Sequence, residues 1–169
     1  MKILVTGANG QLGRDLMSVI TAGGDDAFGI DIDTVDITSR EAVHDVFAGE
    51  RPDAVINCAA FTAVDACESN AETAMLVNGA AVRWVAEASD AIGAHLVHIS
   101  TDYVFDGTKI GPYVETDVPN PQSVYGRTKL VGEQEAMALD SGVAVVRTSW
   151  VCGFHGNNMV KTVHKLAQE

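Results

Sequence analysis

Positive charge is scarce in this chain: 11 lysines and arginines stand against 23 aspartates and glutamates, a formal net charge of −12 over 169 residues. That balance argues against nonspecific attraction to nucleic acid or an anionic membrane surface, and neither partner is expected. Any phosphate-bearing ligand must be held by local backbone amides or a few placed cations, against the overall field. Cysteine is also sparse. Cys58, Cys67 and Cys152 are odd in number and scattered, with no CxxC pair, so neither a disulfide framework nor a zinc site is indicated. The five histidines lack ligand-like spacing with acids or cysteines, and no metal site is expected. Long apolar runs are missing too. The opening "MKILVTGANG" breaks at glycine before it reaches the length of a signal-peptide core, and nothing approaches a membrane span. The expected setting is soluble, reducing and cytoplasmic.

What is present is a globular composition, 47% hydrophobic and 20% charged, on a chain about one domain long. Short apolar runs alternate with longer amphipathic stretches. Lys2–Thr6, Ala27–Asp31, Ala54–Asn57, His95–Ser100 and Val143–Ser149 read as strands, mostly β-branched and bounded by turn signals. Gln11–Ala22, Ser39–Ala48, Asn70–Ile92 and Ser123–Leu139 read as helices, with Ser39 as an N-cap. Near-continuous apolar strands separated by helices predict an α/β fold, a doubly wound parallel sheet covered on both faces. No repeat, low-complexity tract or linker divides the chain, so residues 1–169 read as one domain. The longest irregular segment, Thr101–Gln122, holds three of the four prolines. A loop of that length in a compact domain is usually functional.

"VTGANGQLG" sets Gly7, Gly10 and Gly13 directly after the first strand and at the start of the first helix. Glycine permits a tight turn and a close backbone approach to a pyrophosphate, and the helix N-terminus supplies free N–H groups. The position of this triplet, after a chain-initial strand, raises it above a ligand-free glycine turn. Asp31 falls about 20 residues beyond the loop, where a ribose-binding carboxylate belongs. A carboxylate there accepts from the ribose hydroxyls and disfavours a 2′-phosphate, which leans toward NADH over NADPH. Asp33 or Asp36 could share that role, or all three could be solvated loop acids.

"VYGRTK" places Tyr125 four residues ahead of Lys129, one turn apart on one helical face. Spacing alone leaves two readings: a solvent-facing pair, or a proton donor with its activator. A phenol ordinarily titrates near a pKa of about 10, and a neighbouring cation would lower that.

Together the glycine spacing, "INCAAFTAVDACE", "ISTDYVFDG", "VYGRTK" and "RTSWVCGFHGNN" resemble the extended short-chain dehydrogenase/reductase superfamily, and within it the dTDP-4-dehydrorhamnose reductase family. The likeness runs from Met1 to about Lys165, and "STDYVFDG" and the "SWV-G…GNN" pattern are its most specific parts. The resemblance implies a Rossmann-like dinucleotide-binding domain taking NADH or NADPH. It further implies reduction of dTDP-4-dehydro-6-deoxy-L-mannose, a dTDP-sugar substrate, to dTDP-L-rhamnose. Tyr125 then matches the acid that protonates the sugar oxygen as hydride arrives. Lys129 matches its activator and a ligand of the nicotinamide ribose, and Thr101 the hydroxyl that orients the reacting oxygen. Gly10, Gln11 and Leu12 match the pyrophosphate turn, Asp36 and Ile37 flank the adenine, and Ala60, Phe61 and Thr62 lie along the cofactor. Asp102, Tyr103 and Trp150 match positions near the sugar nucleotide. Each has a plainer alternative: Phe61 and Trp150 as core aromatics, Thr62 as a helix cap, Asp102 as a turn residue.

A related sugar-nucleotide dehydratase carries Thr-Asp-Glu where this chain has Thr101-Asp102-Tyr103, so the second carboxylate that elimination needs is missing. Two departures stand out. Cys152 occupies a position where relatives carry an aromatic, and is expected to be a small buried apolar group. Members of the family also run well beyond 169 residues. The chain is therefore expected to lack most of the C-terminal substrate-binding part, leaving an apolar face that favours self-association as a homodimer. Two other functions fit the same residues: a non-catalytic cofactor-binding regulatory homologue, or a reductase of a related 4-keto deoxysugar nucleotide.

Overall fold

A computed structural model describes residues 1–139 and 142–168. Its strands are β1 (Lys2–Thr6), β2 (Asp26–Ile30), β3 (Ala54–Asn57), β4 (His95–Thr101) and β5 (Val143–Thr148). All pair in parallel, in the order β2-β1-β3-β4-β5. The helices are α1 (Gln11–Ala22), α2 (Arg40–Glu50), α3 (Val64–Ser69), α4 (Ala71–Met75), α5 (Ala81–Ile92), α6 (Val124–Met137) and α7 (Met159–Leu166). A π-helical turn, Leu76–Ala80, joins α4 to α5, and a 3-10 turn covers Asp102–Val104. Among the described residues, no helix is long and apolar enough to cross a membrane.

The step from β1 to β2 runs one way across the sheet, and the steps from β2 through β5 run the other. Right-handed crossovers then place α1 on one face and α2, α5 and α6 on the opposite one. The chain is doubly wound, as its alternating pattern predicts. The winding reverses between β1 and β3, and a crevice opens there at the carboxyl ends of the strands, where open α/β sheets bind ligands.

The apolar strand residues supply the core. Leu4, Val55 and Leu96 lie in register across β1, β3 and β4 and are fully buried or nearly so. Val43 and Phe47 of α2 and Val82 and Val85 of α5 join the same cluster. Each such side chain contributes about 1.5–3 kcal/mol by leaving water. Ser39 caps α2 as expected, its hydroxyl accepting from Ala42 N–H at 3.3 Å.

The expected helix Asn70–Ile92 is present as one helical run from Ala71 to Ile92, with the π-helical turn Leu76–Ala80 inside it. Asn70 itself is non-helical, with φ −129° and ψ 44°, and its amide donates to Ala66 O at 2.8 Å. That bond closes the end of α3, a helix the apolar pattern alone did not reveal.

Candidate active site

A cleft of about 920 Å³ runs along the carboxyl ends of β1, β3, β4 and β5. Its size falls within the range of small-molecule and cofactor pockets. Of the residues singled out from sequence, its walls take in Gly7, Asp31, Asp36, Phe61, Thr101, Tyr125, Lys129 and Trp150 but not Asp33.

The turn after β1 is shaped by close approach. Gly7 has φ +65°, and a Cβ there would lie 2.8 Å from Ala59 N, at the head of the connection leaving β3. A Cβ on Gly13 would fall on the carbonyl of Gly7. Glycine at both positions lets α1 start directly against the β1–β3 crevice. The first turn of α1 has no side-chain cap and no acidic residue, so its N–H groups remain available to an anion. Gln11 is different. Its side chain donates to Val151 O at 2.7 Å and accepts from Asn158 at 3.3 Å, which leaves only its backbone to face a ligand.

Asp31 sits just past β2 with one carboxylate oxygen accepting from Asn9 N–H and the other from Ile32 N–H, both at 2.8 Å. Asp33 receives the Asn9 amide at 3.2 Å, and Asp36 accepts from Thr38 N–H and its hydroxyl. Asp31 and Asp36 line the cleft, so of the three acids these two face a ligand there.

At the other end, Thr101 closes β4. Its hydroxyl accepts from Tyr103 N–H and donates to Asp102, each at 3.2 Å. Tyr125 enters on the first turn of α6, which Ser123 caps by accepting from Gly126 N–H at 3.0 Å. The Tyr103 ring meets the Tyr125 ring edge-on, with centroids 5.6 Å apart. Burial raises the Tyr125 phenol above the ordinary tyrosine range, and a side-chain hydrogen bond from Thr101 pulls it partly back. The net direction is upward, opposite to the lowering expected from a neighbouring lysine, and burial is its largest cause.

Lys129 is only 2% exposed. Its ammonium donates to Ile99 O of β4 at 2.7 Å. Burial pushes it down to about 8, with Glu133 and Cys58 acting in the opposite direction. The same burial pushes the Cys58 thiol up to about 12, so it stays neutral beside the ammonium. The pair is therefore not solvent-facing. One member is fully enclosed and the other half-enclosed, at the mouth of a cleft.

The family profile described as "RmlD substrate binding domain" matches residues 1–169. The chain belongs to this RmlD family. It is 40% identical over 168 residues to a dTDP-4-dehydrorhamnose reductase of Aggregatibacter actinomycetemcomitans, an alignment covering 99% of this chain and 57% of the relative. It is 42% identical to a dTDP-4-keto-6-deoxy-D-glucose reductase of Streptomyces niveus, over 98% of this chain and 58% of that one. A crystal structure of a dTDP-4-dehydrorhamnose reductase from Bacillus anthracis, in complex with NADP, superposes with a TM-score of 0.95 at 42% identity. That superposition covers 99% of this chain and 60% of the Bacillus chain. The chain thus spans less than two thirds of the length of these relatives.

Within this RmlD-family site, two plainer alternatives for the aromatics are ruled out. Trp150 is 74% exposed at the rim of the cleft with φ +53°, so it is not a core aromatic. Phe61 lines the cleft half-buried rather than joining the core cluster. Thr62 does not cap α3, whose N-cap is Ala63. Cys152 corrects an expectation. It is exposed, and its thiol donates to Trp150 O at 3.1 Å. The segment carrying it packs against α1, with Val151 O accepting from Gln11 and His155 meeting Asp15, and leaves the Cys152 thiol exposed.

Sequence reasoning missed Asn78. This buried residue of the π-helical turn accepts from Phe61 N–H at 2.8 Å, and its amide donates to Phe61 O and Thr128, each at 3.1 Å. It clamps the cleft wall after β3 to α6. The available signal was an asparagine inside the apolar run "MLVNGAAV", since a polar group buried there must find partners. Single-turn π segments often occur at functional sites.

Proposed function

We propose that residues 1–169 form a dinucleotide-binding domain in which Tyr125, Lys129 and Thr101 carry out reduction of a 4-keto sugar nucleotide. In this reading the protein reduces dTDP-4-dehydro-6-deoxy-L-mannose to dTDP-L-rhamnose with NADH or NADPH, in the cytoplasm. The observation that carries the reading is convergence: a phenol, a hydroxyl and a buried ammonium from α6 and β4 meet in the cleft that the glycine turn opens.

The fit to a dinucleotide is supported by the same turn. At Gly7 and Gly13 a Cβ would strike backbone, and the uncapped start of α1 offers N–H groups in a strongly acidic protein. Gly7, Gly10, Leu12, Gly13 and the Gln11 backbone would hold the pyrophosphate. Asp31, with Asp36 and Ile37, would hold the adenosine end, and Ala60, Phe61 and Thr62 would lie along the middle. The dihydronicotinamide supplies a hydride, which its carbonyl target receives at carbon four.

The chain's own residues handle the charge that follows. As the C–O double bond becomes an alkoxide, the Tyr125 phenol donates its proton to that oxygen, and the Thr101 hydroxyl positions both. A phenol held above its usual range is protonated throughout neutral pH, as an acid must be. Lys129, cationic below about 8, stabilises the phenolate left behind and donates to ribose hydroxyls. Tyr103, Asp102 and the exposed Trp150 form the rim where a deoxysugar's apolar face would stack.

A second reading, reduction of a related 4-keto deoxysugar, is supported by the equal likeness to the Streptomyces niveus reductase. The intact Tyr125, Lys129 and Thr101 weigh against a purely regulatory role. The deciding experiment mixes the protein with NADH or NADPH and each 4-keto sugar nucleotide, following absorbance of the reduced nicotinamide. Product formation with the dTDP-4-dehydrorhamnose substrate supports the first reading, and preference for another ketone supports the second. Dinucleotide binding without turnover on any of them, by a form of the protein as long as its relatives, sinks both.

A further inference from the structure

Lys129 poses a physical problem that its fold neighbours must answer. A buried ammonium loses its hydration, a cost that one carbonyl bond to Ile99 does not offset. The groups around it are mostly neutral. His98 of β4 is pushed down to about 3, largely by burial, and Cys58 beyond β3 keeps its proton. Tyr125, one turn earlier on α6, is a protonated phenol. The carboxylate that acts on Lys129 is Glu133, one turn later on the same face of α6 and itself 3% exposed.

Glu133 is held in place by three hydrogen bonds from donors on two strands. Ser100 donates to its Oε1 at 2.5 Å, and Arg147 of β5 grips both oxygens, Nε at 2.9 Å and Nη2 at 2.6 Å. This fork is the strong, oriented form of a charged hydrogen bond. The guanidinium in turn lies 5.0 Å from the centre of the Phe105 ring in the loop that follows β4. Ser100 directly precedes Thr101, so the same carboxylate ties the hydroxyl-bearing end of β4 to the helix that carries the phenol and the ammonium.

We propose that Glu133 is the fixed counter-charge that keeps Lys129 cationic, and is thereby a positioning residue for the reduction site, acting through Lys129 and Ser100. It does not line the cleft. The assignment deepens the reductase reading above and rests on it for its functional meaning. A buried ion pair with Arg147 could by itself be mere packing. What sets this one apart is its place in the row Tyr125, Lys129, Glu133 on one helical face.

The test reads Lys129 directly. Protein labelled at the lysine ε-carbon is titrated by NMR, and the Lys129 resonance is assigned by its loss in Lys129→Met. The wild-type midpoint is expected at about 8. Glu133→Gln should lower it by about one unit or more, while Glu133→Asp, which keeps the charge, should restore it toward the wild-type value. The alkaline limit of dinucleotide affinity should move down with the midpoint. An unmoved midpoint in folded Glu133→Gln overturns the proposal. Should that variant not fold, Glu133→Gln combined with Arg147→Met removes both charges and leaves none unpaired. A lowered midpoint there supports the assignment, and an unchanged one ends it. The lysine titration needs no ligand. A wild-type protein that binds no dinucleotide would sink the reductase reading, while the midpoints would still judge Glu133.

Discussion

The Asn57 amide lies 3.1 Å from His98 Nδ1, bridging that imidazole to the Thr6 hydroxyl, which donates to Asn57 Oδ1 at 2.5 Å. These residues continue the in-register row Leu4, Val55, Leu96 by one pleat, so the apolar core ends in a buried polar strip beneath the cleft. Among the described residues His98 Nε2 has no hydrogen-bond partner, and the ring is fully enclosed. Burial, helped by the Lys129 charge, pushes it down to about 3. An unfolded histidine titrates near about 6.5, so between these values the unfolded chain binds the extra proton. Stability from this residue is therefore complete above pH about 6.5 and is lost as pH falls toward 3, at up to roughly 1.4 kcal/mol per pH unit. Denaturant midpoints measured from pH 7 to pH 4 should fall more steeply for wild type than for His98→Gln. Equal slopes would mean that the ring is not held neutral.

Removing the phenolic hydroxyl separates chemistry from binding. Tyr125→Phe keeps the ring that meets Tyr103 edge-on but deletes the group hydrogen-bonded to Thr101. Turnover of the 4-keto sugar nucleotide should drop by about 10²–10⁴-fold, the usual worth of a positioned acid. Dinucleotide affinity, read by fluorescence quenching, should stay within about twofold, because the pyrophosphate turn is untouched. Near-normal turnover would assign the proton to another donor.

The parts of this fold that were legible in sequence are those where one physical demand dominates. Lys2–Thr6 and Ala54–Asn57 read correctly to the residue, because a buried parallel strand must be short, β-branched and bounded by turns. The glycine turn was legible for the same reason: backbone contact leaves no room for a Cβ at Gly7 or Gly13. Features that depend on partners distant in sequence were not. Glu133 in "GEQEA" looks like a solvated helix acid until Ser100 and Arg147 arrive from two strands. Helix α3 hides in a mixed stretch that only the Asn70 cap delimits. Cys152 and Trp150 were misjudged or left open because nothing local tells whether the chain turns inward or outward after β5.

Cofactor preference should respond to Asp31. Its carboxylate faces the cleft while accepting from Asn9 and Ile32 N–H groups, which fix it in place. A fixed anion there attracts ribose hydroxyls and repels a 2′-phosphate. Asp31→Asn keeps the shape and removes the charge, so the NADH-to-NADPH affinity ratio should fall by about tenfold, the equivalent of roughly 1.4 kcal/mol. Titrating each dinucleotide against both proteins gives the ratio. An unchanged ratio would move the discriminating role to Asp36.

The glycine turn offers the sharpest steric test, because two alanine substitutions should have opposite signs. At Gly13 a Cβ would fall on Gly7 O and come within 2.7 Å of Ala8 Cα, both backbone atoms that cannot rotate away. Relief requires α1 to pull back from the β1–β3 crevice, which moves its free N–H groups and loosens its packing on β1 and β2. Gly13→Ala should therefore lose about 2 kcal/mol or more of stability and weaken dinucleotide binding by at least about tenfold. Gly49, exposed in α2, has nothing among the described residues within 4 Å of its would-be Cβ. Alanine there only removes the entropy cost of a helical glycine, so Gly49→Ala should gain about 0.5–1 kcal/mol and leave binding unchanged. Thermal melts and dinucleotide titrations of the two variants side by side separate a general intolerance of substitution from the specific closeness of the turn. A Gly13→Ala protein as stable and as tightly binding as wild type would mean that α1 does not press against that turn.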